Sequence, residues 1–216
     1  MRIPVTFLGT SQAIPTAKRN HSSFLVKHNE ENILIDCGEG TQRQIRKARI
    51  NPCKITRMLI THWHGDHILG IPGLFQTLLL NGYNKKMFIY GPKGTKYYME
   101  KILNLLVPYN KIPLEIKEVS DGKILETRDL IIESKPMKHS NPCNAYSIIE
   151  KTKIRLDKKK IAKLDIKDGK LLGELAKGKN IKHNGKTIIA SKYTYKQKGK
   201  KITIILDTII NPNCYT

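Results

Sequence analysis

The 216-residue sequence predicts an α/β layered domain that carries a basic insertion. Up to about residue 150, short β-branched runs alternate with turn residues and a few helical stretches, a mixture typical of sheets covered by helices. The composition then shifts sharply, and an apolar strand follows at residues 202–206. We therefore expect one main domain, formed by residues 1–150 and 202–216, interrupted by an insertion of residues 151–201.

The individual elements follow from local patterns along the chain. Strands are predicted at residues 2–8, 23–27, 32–35, 57–60, 88–90, 114–118, 123–126, 130–134 and 146–149. Helices are predicted at residues 39–49, 67–80 and 94–107. The insertion shows little periodicity apart from a helix at 158–164 and a strand at 186–190. We expect it to protrude and to be partly flexible.

Basic residues are concentrated in the insertion. The chain has 39 Lys plus Arg against 18 Asp plus Glu, a net charge of +21. Residues 151–201 hold 18 of these basic residues and only 4 acidic ones, so +14 of the total lies in this segment. Such a surplus favours contact with polyanions, either nucleic acid or an acidic membrane surface. A solvated lysine-rich loop is the alternative explanation.

Several classes of protein are excluded by the sequence. No apolar run approaches the roughly 18 residues that a membrane-spanning helix needs, and the first residues lack the apolar stretch of a signal peptide. The four cysteines form no CxxC pair, which argues against a thiolate zinc finger or a redox dithiol. We expect a cytoplasmic protein with reduced thiols and no membrane partner.

A dense group of potential metal ligands lies in residues 61–67, which read THWHGDH. In an extended chain, residues two apart point the same way, so His62 and His64 can bind one ion. After the turn at the glycine, Asp66 and His67 can face a second ion. Imidazole and carboxylate groups suit zinc, so the sequence predicts a zinc site here.

Two ions need more ligands than this loop supplies. His139 follows a strand and is the natural third imidazole of the first site, while Asp207 ends an apolar strand, where a carboxylate is costly unless paired or metal-bound. Taken alone, His139 also fits a solvated loop residue and Asp207 a helix N-cap. Asp36 either holds a ligand imidazole in one tautomer or caps the next helix. The remaining histidines are expected on the surface: His21, His28 and His183.

The HxHxDH loop resembles the signature of the metallo-β-lactamase superfamily, which implies an αββα sandwich with a dinuclear metal site at one edge. Other segments are similar to ribonuclease Z, the family of endonucleases that remove 3′ trailers from precursor tRNA. These segments are FLGT at 7–10, PTAKRN at 15–20, IDCGEGTQ at 35–42, ITHWHGDHILGIPG at 60–73, YGPKG at 90–94 and KPMKHS at 135–140. The resemblance extends through nearly the whole chain.

The resemblance implies two Zn²⁺ per subunit, with Mn²⁺ as an alternative, and a homodimer. The implied ligands are His62, His64 and His139 for the first zinc, Asp66 and His67 for the second, and Asp207 as the bridge. Asp66 would also accept a proton from the attacking water. The products would be a 3′-hydroxyl on the tRNA and a 5′-phosphate on the trailer.

The basic insertion falls where the family has a flexible arm that binds tRNA, the arm of one subunit serving the active site of the other. Its residues Lys158, Lys159 and Lys160, together with Arg19 of the main domain, are expected to contact RNA phosphates. The insertion lacks the family's Gly-Pro-rich motif.

The sequence also stops at Thr216, before two histidines of the family pattern, so we expect a shortened chain with an open place at its second zinc. Two other functions are considered. One is a different hydrolase of the superfamily, acting on a phosphodiester or thioester, and the other is a shortened form that binds RNA without cleaving it.

Overall fold

The computed structural model describes residues 3–105, 112–166 and 169–215. The chain forms two compact units. Unit 1 comprises Met1–Glu126, Ile131–Ile148 and Ile202–Thr216, and unit 2 comprises Thr127–Leu130 and Ile149–Lys201. Within the described ranges no helix has the length and apolar character needed to cross a membrane.

Unit 1 contains a six-stranded mixed sheet. Its strands are β1 (Val5–Gly9), β2 (Ser23–His28), β3 (Glu31–Ile35), β4 (Arg57–Leu59), β5 (Met87–Gly91) and β6 (Leu114–Glu118), in that spatial order. The first three pair antiparallel, whereas β3 to β6 are parallel. Ile35 pairs with Leu59 at the carboxyl ends of β3 and β4. The segments that follow these two strands therefore leave the sheet at the same edge.

Helices cover one face of this sheet. They are α1 (Thr41–Lys47), α2 (Gly65–Ile68), α3 (Ile71–Leu80) and α4 (Thr95–Asn104). Buried side chains of α1, α3 and α4, such as Ile45, Phe75 and Met99, join Leu34 and Ile89 of the strands in the main hydrophobic cluster. This burial is what makes the amphipathic segments helical in the folded chain.

The single helix predicted at residues 67–80 is in fact two helices, α2 and α3. Pro72 lies in the first turn of α3, where its missing N–H is tolerated. Gly70 stands between the helices, and a Cβ there would lie 2.1 Å from the carbonyl oxygen of Gly38. The close approach of these two backbones requires glycine and fixes where the chain turns. Part of the helix predicted at 94–107 lies outside the described residues.

A second sheet consists of β7 (Gly122–Glu126), β8 (Leu130–Met137), β9 (Cys143–Glu150) and a last strand β14 (Lys201–Ile204), in the order β14-β9-β8-β7. Two hydrogen bonds attach β9 to the segment after β4. The Tyr146 hydroxyl donates to the Ile60 carbonyl at 2.7 Å, and the Asn144 N–H donates to the Thr61 carbonyl at 2.9 Å. The ends of β8 and β14 are thereby held near the ends of β3 and β4.

Unit 2 has more regular structure than the sequence predicts. Its strands are β10 (Lys153–Leu156), β11 (Ile181–His183), β12 (Lys186–Ile188) and β13 (Thr194–Gln197), and its helices are α5 (Lys158–Ile161), α6 (Gly169–Ala176) and α7 (Ala190–Tyr193). β10 pairs with β13 and β11 with β12, both antiparallel. A separate cluster of buried residues supports them, formed by Ile166, Leu175, Ile181, Ile188 and Ala190. The prediction of only one helix and one strand here is wrong.

Candidate metal centre

The segment after β4 carries the first group of candidate ligands. It runs extended from Leu59 until α2 begins at Gly65, with φ −76° and ψ 150° at His64. The side chains of His62 and His64 converge, as the two-residue alternation predicts: His62 Nε2 lies 3.0 Å from His64 Nδ1. His62 is fully buried, whereas His64 is half-buried.

Two residues from the second sheet complete this group. His139, which follows β8, places its Nε2 3.1 Å from His64 Nδ1. Asp207, which follows β14, places Oδ2 3.9 Å from His62 Nε2. One donor atom from each of the four side chains lies within 4.8 Å of every other. Two donor atoms that each lie about 2.0–2.2 Å from one tetrahedral zinc ion are separated by distances close to those between these side chains.

A second group shares Asp207 with the first. Asp66 and His67 lie in the short helix α2, and His67 Nε2 is 3.3 Å from Asp66 Oδ2 and 3.7 Å from Asp207 Oδ2. The three donor atoms again lie within 4.8 Å of one another. All six residues predicted as metal ligands are therefore brought together, and Asp207 stands at the junction of the two groups.

The chemistry of the donors fits metal ions. His67 Nε2 is buried and has no hydrogen-bond partner among the described residues, although it faces two carboxylates. In the first group, imidazole nitrogens of three histidines face one another at 3.0–3.1 Å. A buried, unpaired nitrogen is costly, and a cation between these donors removes that cost. Nitrogen and carboxylate oxygen donors in this number are those that zinc prefers.

The protonation of His62 also favours metal binding. Burial, together with the neighbouring imidazoles of His67, His64 and His139, lowers the pKa of His62 to about 3. His62 is therefore neutral near pH 7, and a neutral imidazole offers one ring nitrogen with a lone pair to a cation. Metal ligands must be deprotonated in this way.

Asp36 determines how two of these histidines are oriented. It is fully buried, and its Oδ2 lies 2.6 Å from His67 Nδ1. The same carboxylate accepts the Thr61 N–H and the Thr61 hydroxyl, both at 2.7 Å, and the Thr61 oxygen lies 3.1 Å from His62 Nδ1. Both imidazoles are thus turned so that Nε2 faces the site. Burial disfavours a charged His67, but the hydrogen bond and charge of Asp36 outweigh it and raise the pKa of His67.

The alternative role of Asp36 and Asp207 as helix N-caps is not seen. The N-cap of α1 is Gly40, and no side chain caps that helix. Asp207 lies five residues before the short 3₁₀ helix Pro212–Tyr215. The backbone carbonyl of Asp207 accepts a hydrogen bond from the Cys143 thiol at 3.4 Å. Each carboxylate therefore faces the site without serving a helix.

Sequence reasoning missed four residues that support this centre. Thr61 links Asp36 to His62, as described above. The Asn141 side chain lies 2.7 Å from His64 Nε2, the ring nitrogen that does not face the other histidines. The Lys138 carbonyl accepts the Thr208 hydroxyl at 3.1 Å, which ties the loop of Asp207 to the loop of His139. Their positions next to predicted ligands were the only available signal.

Two of the histidines expected on the surface are buried. His21 and His28 are each 4% exposed, so that prediction is wrong for both, while His183 is half-buried. His21 Nε2 lies 3.2 Å from the Ala13 carbonyl oxygen. A Cβ on Gly38 would lie 2.4 Å from the His21 Cβ and 2.3 Å from the Asp66 carbonyl oxygen. His21 therefore lies close to the backbone of Gly38, which in turn lies close to Asp66, and it belongs to neither donor group.

The residues predicted to contact RNA are all exposed. Arg19 lines a cleft of about 460 Å³ in unit 1, together with Lys18, Arg43 and Lys47. Residues 158–160, the three consecutive lysines, are three of the four residues of α5 in unit 2. Their helix is capped by Asp157, whose side chain accepts two backbone N–H groups at 3.1 and 3.2 Å.

Known proteins resemble this chain over most of its length. A protein named ribonuclease Z from Nanoarchaeum equitans is 41% identical over 205 residues, which cover 95% of this chain and 65% of that protein. Ribonuclease Z from Methanothermobacter thermautotrophicus is 38% identical, covering 94% and 67%. Ribonuclease BN from Cronobacter sakazakii is 35% identical, covering 98% and 72%. The chain thus spans about two thirds of the length of these relatives.

Solved structures show a related fold. The short form of human tRNase Z aligns with a TM-score of 0.61 at 29% identity, covering 68% of this chain and 64% of that one. The metallo-β-lactamase fold protein YhfI from Bacillus subtilis aligns with a TM-score of 0.55 at 21% identity, covering 67% and 57%. A family model described as Anti-Pycsar protein Apyc1 matches residues 3–156. The predicted fold class is confirmed, and the chain belongs to the ribonuclease Z family with the metallo-β-lactamase fold, its residues 3–156 also falling within the Apyc1 family.

Proposed function

We propose that this chain is a metal-dependent endoribonuclease that removes 3′ trailers from precursor tRNA. The observation that carries the proposal is the pair of donor groups joined at Asp207. It occurs in a chain whose relatives named ribonuclease Z are 38–44% identical to it. The donor groups indicate metal-assisted hydrolysis, and the name of the relatives indicates RNA as the substrate.

In this proposal the metal ions are two Zn²⁺ per subunit, with Mn²⁺ as the alternative. The first would be held by His62, His64 and His139, the second by Asp66 and His67, and both by Asp207. When bound, such ions lower the pKa of water towards neutrality and offset negative charge on a phosphate. Asp36 would serve both positions, since it keeps Nε2 of two ligand imidazoles directed into the site.

Asp66 is the proposed proton acceptor. Its side chain is 10% exposed, which leaves a path for solvent, and it lies beside the shared carboxylate of Asp207. As the water oxygen bonds to phosphorus, Asp66 takes up the proton that the water loses. The bond between phosphorus and the 3′ oxygen breaks, and that oxygen takes up a proton from solvent and leaves as the 3′-hydroxyl of the tRNA. The trailer departs with a 5′-phosphate.

Unit 2 is proposed to bind tRNA. Lys158, Lys159 and Lys160 are exposed and lie in the segment that carries +14 of net charge, which suits contact with phosphates. Arg19 in unit 1 is proposed to make a further phosphate contact. Such contacts give affinity without sequence readout, so RNA shape would select the substrate. We further propose a cytoplasmic homodimer, in which the basic unit of one subunit serves the site of the other.

The test is cleavage of a precursor tRNA with a 3′ trailer, in the presence of Zn²⁺ or Mn²⁺, compared with hydrolysis of a small ester and a small phosphodiester. We expect cleavage at the base of the trailer, with a 3′-hydroxyl and a 5′-phosphate at the new ends. If the protein hydrolyses only the small substrates, the proposed substrate is wrong. If it binds the precursor and never cleaves it, the chain is an RNA-binding form.

One observation favours a second candidate, a hydrolase of small phosphodiesters. The Apyc1 family model covers residues 3–156, which contain five of the six candidate ligands but little of the basic unit. The +14 charge of residues 151–201 argues against this candidate, because a small substrate does not need such a surface. Unchanged kcat/KM on a small phosphodiester after neutralising residues 158–160, combined with no activity on precursor tRNA, would favour this candidate.

A further inference from the structure

A cluster of aromatic rings lies next to the metal-binding segment and is not used by the mechanism above. Trp63 stands between His62 and His64, and its ring packs on Tyr98 with centroids 5.0 Å apart and planes 33° apart. Tyr98 in turn meets Tyr97 edge to face, with centroids 5.3 Å apart. Tyr97 and Tyr98 are 58% and 45% exposed. The two tyrosines therefore form an exposed aromatic patch in the first turn of α4.

Trp63, the least exposed ring of the cluster, is held by hydrogen bonds. The Trp63 indole N–H donates to the Thr95 hydroxyl oxygen at 2.9 Å, and that hydroxyl donates to the Pro92 carbonyl at 2.6 Å. Thr95 is completely buried at the start of α4. A ring held in this way loses little conformational entropy when a ligand stacks on its neighbours, which favours binding.

Three lysines lie on the same turn and helix as the tyrosines, and one acidic residue, Glu100, is also exposed there. Lys101 Nζ lies 5.4 Å from the centre of the Tyr97 ring. Lys93 and Lys96 are exposed on the turn and helix that carry the tyrosines. The Glu118 carboxylate beside them already accepts the backbone N–H groups of Gly94 and Lys96, both at 3.1 Å. Aromatic rings flanked by cations are the usual platform for single-stranded nucleic acid, because bases stack on the rings and phosphates contact the cations.

Trp63 points away from the imidazoles of His62 and His64 and packs against the main hydrophobic cluster. We propose that Trp63, Tyr97 and Tyr98 form a stacking platform for the unpaired 3′ strand of the RNA substrate, at the edge of the sheet where β4 and β5 both end. This inference rests on the proposed function for the identity of the RNA. The two tyrosines are positioning residues, since they would hold bases while the scissile phosphate lies at the metal centre. Stacking is tolerant of sequence, so trailers of any sequence would be held.

Trp63 provides the test, because it is the only tryptophan of the 216 residues. Its fluorescence is measured while the full chain, at a fixed metal concentration, is titrated with a short unstructured RNA oligonucleotide. We expect saturable quenching. Tyr97→Ala and Tyr98→Leu should weaken binding about tenfold each, whereas Tyr98→Phe should bind like the unaltered protein because its ring still stacks.

An oligonucleotide of equal length with abasic nucleotides keeps the phosphates but offers nothing to stack, and we expect it to leave the fluorescence unchanged. Equal quenching by the abasic strand would overturn the proposal. Unaltered RNA affinity of the Tyr97→Ala variant, with an unaltered melting temperature, would also overturn it. Failure of tRNA cleavage alongside normal quenching would instead contradict the proposed function and leave the platform standing.

Discussion

Among the described residues, the main hydrophobic cluster of unit 1 contains 19 buried side chains, whereas the separate cluster of unit 2 contains five. Their charges differ in the opposite direction. Residues 151–201, nearly all of unit 2, carry +14, and the rest of the chain carries +7. Unit 1 is therefore built around a large core that can hold buried charged groups in place. Unit 2 presents many cations on a small core.

The two units suit two different tasks, holding metal ligands in unit 1 and contacting phosphates in unit 2. In unit 1, buried carboxylates and imidazoles need a rigid surrounding, because a misplaced ligand loses the metal. If unit 2 binds RNA as proposed, its exposed lysines need only lie near phosphates, and a small core is sufficient for that. Changes in unit 1 should therefore alter turnover and metal content, whereas changes in unit 2 should alter RNA affinity. The following predictions test this division.

The largest effect is expected for Asp66→Ala. Loss of the proton acceptor should reduce kcat for precursor tRNA by about 10²–10⁴-fold, while the dissociation constant for the tRNA stays unchanged. Single-turnover cleavage and a filter-binding assay measure the two quantities. Asp121→Ala, at an exposed loop position, is the matched control. A parallel loss of RNA affinity would contradict the separation of the two units.

Leu175→Ala should destabilise unit 2 by about 2–5 kcal/mol, since Leu175 is completely buried in its small cluster. Weaker tRNA binding should follow, whereas zinc content and hydrolysis of a small phosphodiester should not change. Thermal unfolding and metal analysis provide the readouts. Leu80→Ala, at an 86% exposed position of unit 1, should be neutral. Loss of zinc in Leu175→Ala would show that the units depend on each other.

Asp36→Asn should lower zinc affinity about 10–100-fold, because the amide keeps the shape but loses the charge that orients His67 and, through Thr61, His62. Competition with a chromophoric chelator measures the affinity. Asp121→Asn removes an exposed carboxylate and serves as the control. Unchanged affinity would mean that the buried carboxylate has only a structural role.

The smallest effect is expected for the combined substitution of Lys158, Lys159 and Lys160 by Gln. Binding to tRNA should weaken about tenfold, and the slope of log K against log salt should fall by about one for each lysine that contacts a phosphate. The control replaces three exposed lysines of unit 1 instead: Lys54, Lys85 and Lys86. An equal loss in both variants would attribute the effect to net charge and not to unit 2.

The sequence was sufficient to locate the candidate ligands because each follows a strand or lies in one short motif. The alternation of side chains in an extended segment predicts that His62 and His64 converge, and the structure shows this. The role of Asp36 could not be chosen from sequence, because an N-cap and a carboxylate that orients a histidine look alike in one chain. Its contacts with Thr61 and His67 decide it, and these residues lie 25 and 31 positions away along the chain.

Unit 2 was less predictable for a physical reason. β10 has four residues and pairs with β13, about 40 residues away in sequence, so neither strand shows a long local pattern. Both contain basic residues, which weaken the apolar alternation that marks a strand. The burial of His21 and His28 was missed for a similar reason: long-range packing, not local sequence, buries them.

Asp207 faces both groups of candidate ligands, and Asp36 contacts His67 directly and His62 through Thr61. Two ions bound at these positions would therefore not load independently. The first would fix the carboxylate and imidazoles that the second also requires, so that the second binds to a more ordered set of donors. By thermodynamic linkage each ion would change the affinity for the other by the same factor. Ordering of the shared donors favours joint uptake, whereas repulsion between the two cations opposes it. The steepness of a zinc titration therefore reports which of the two effects is larger.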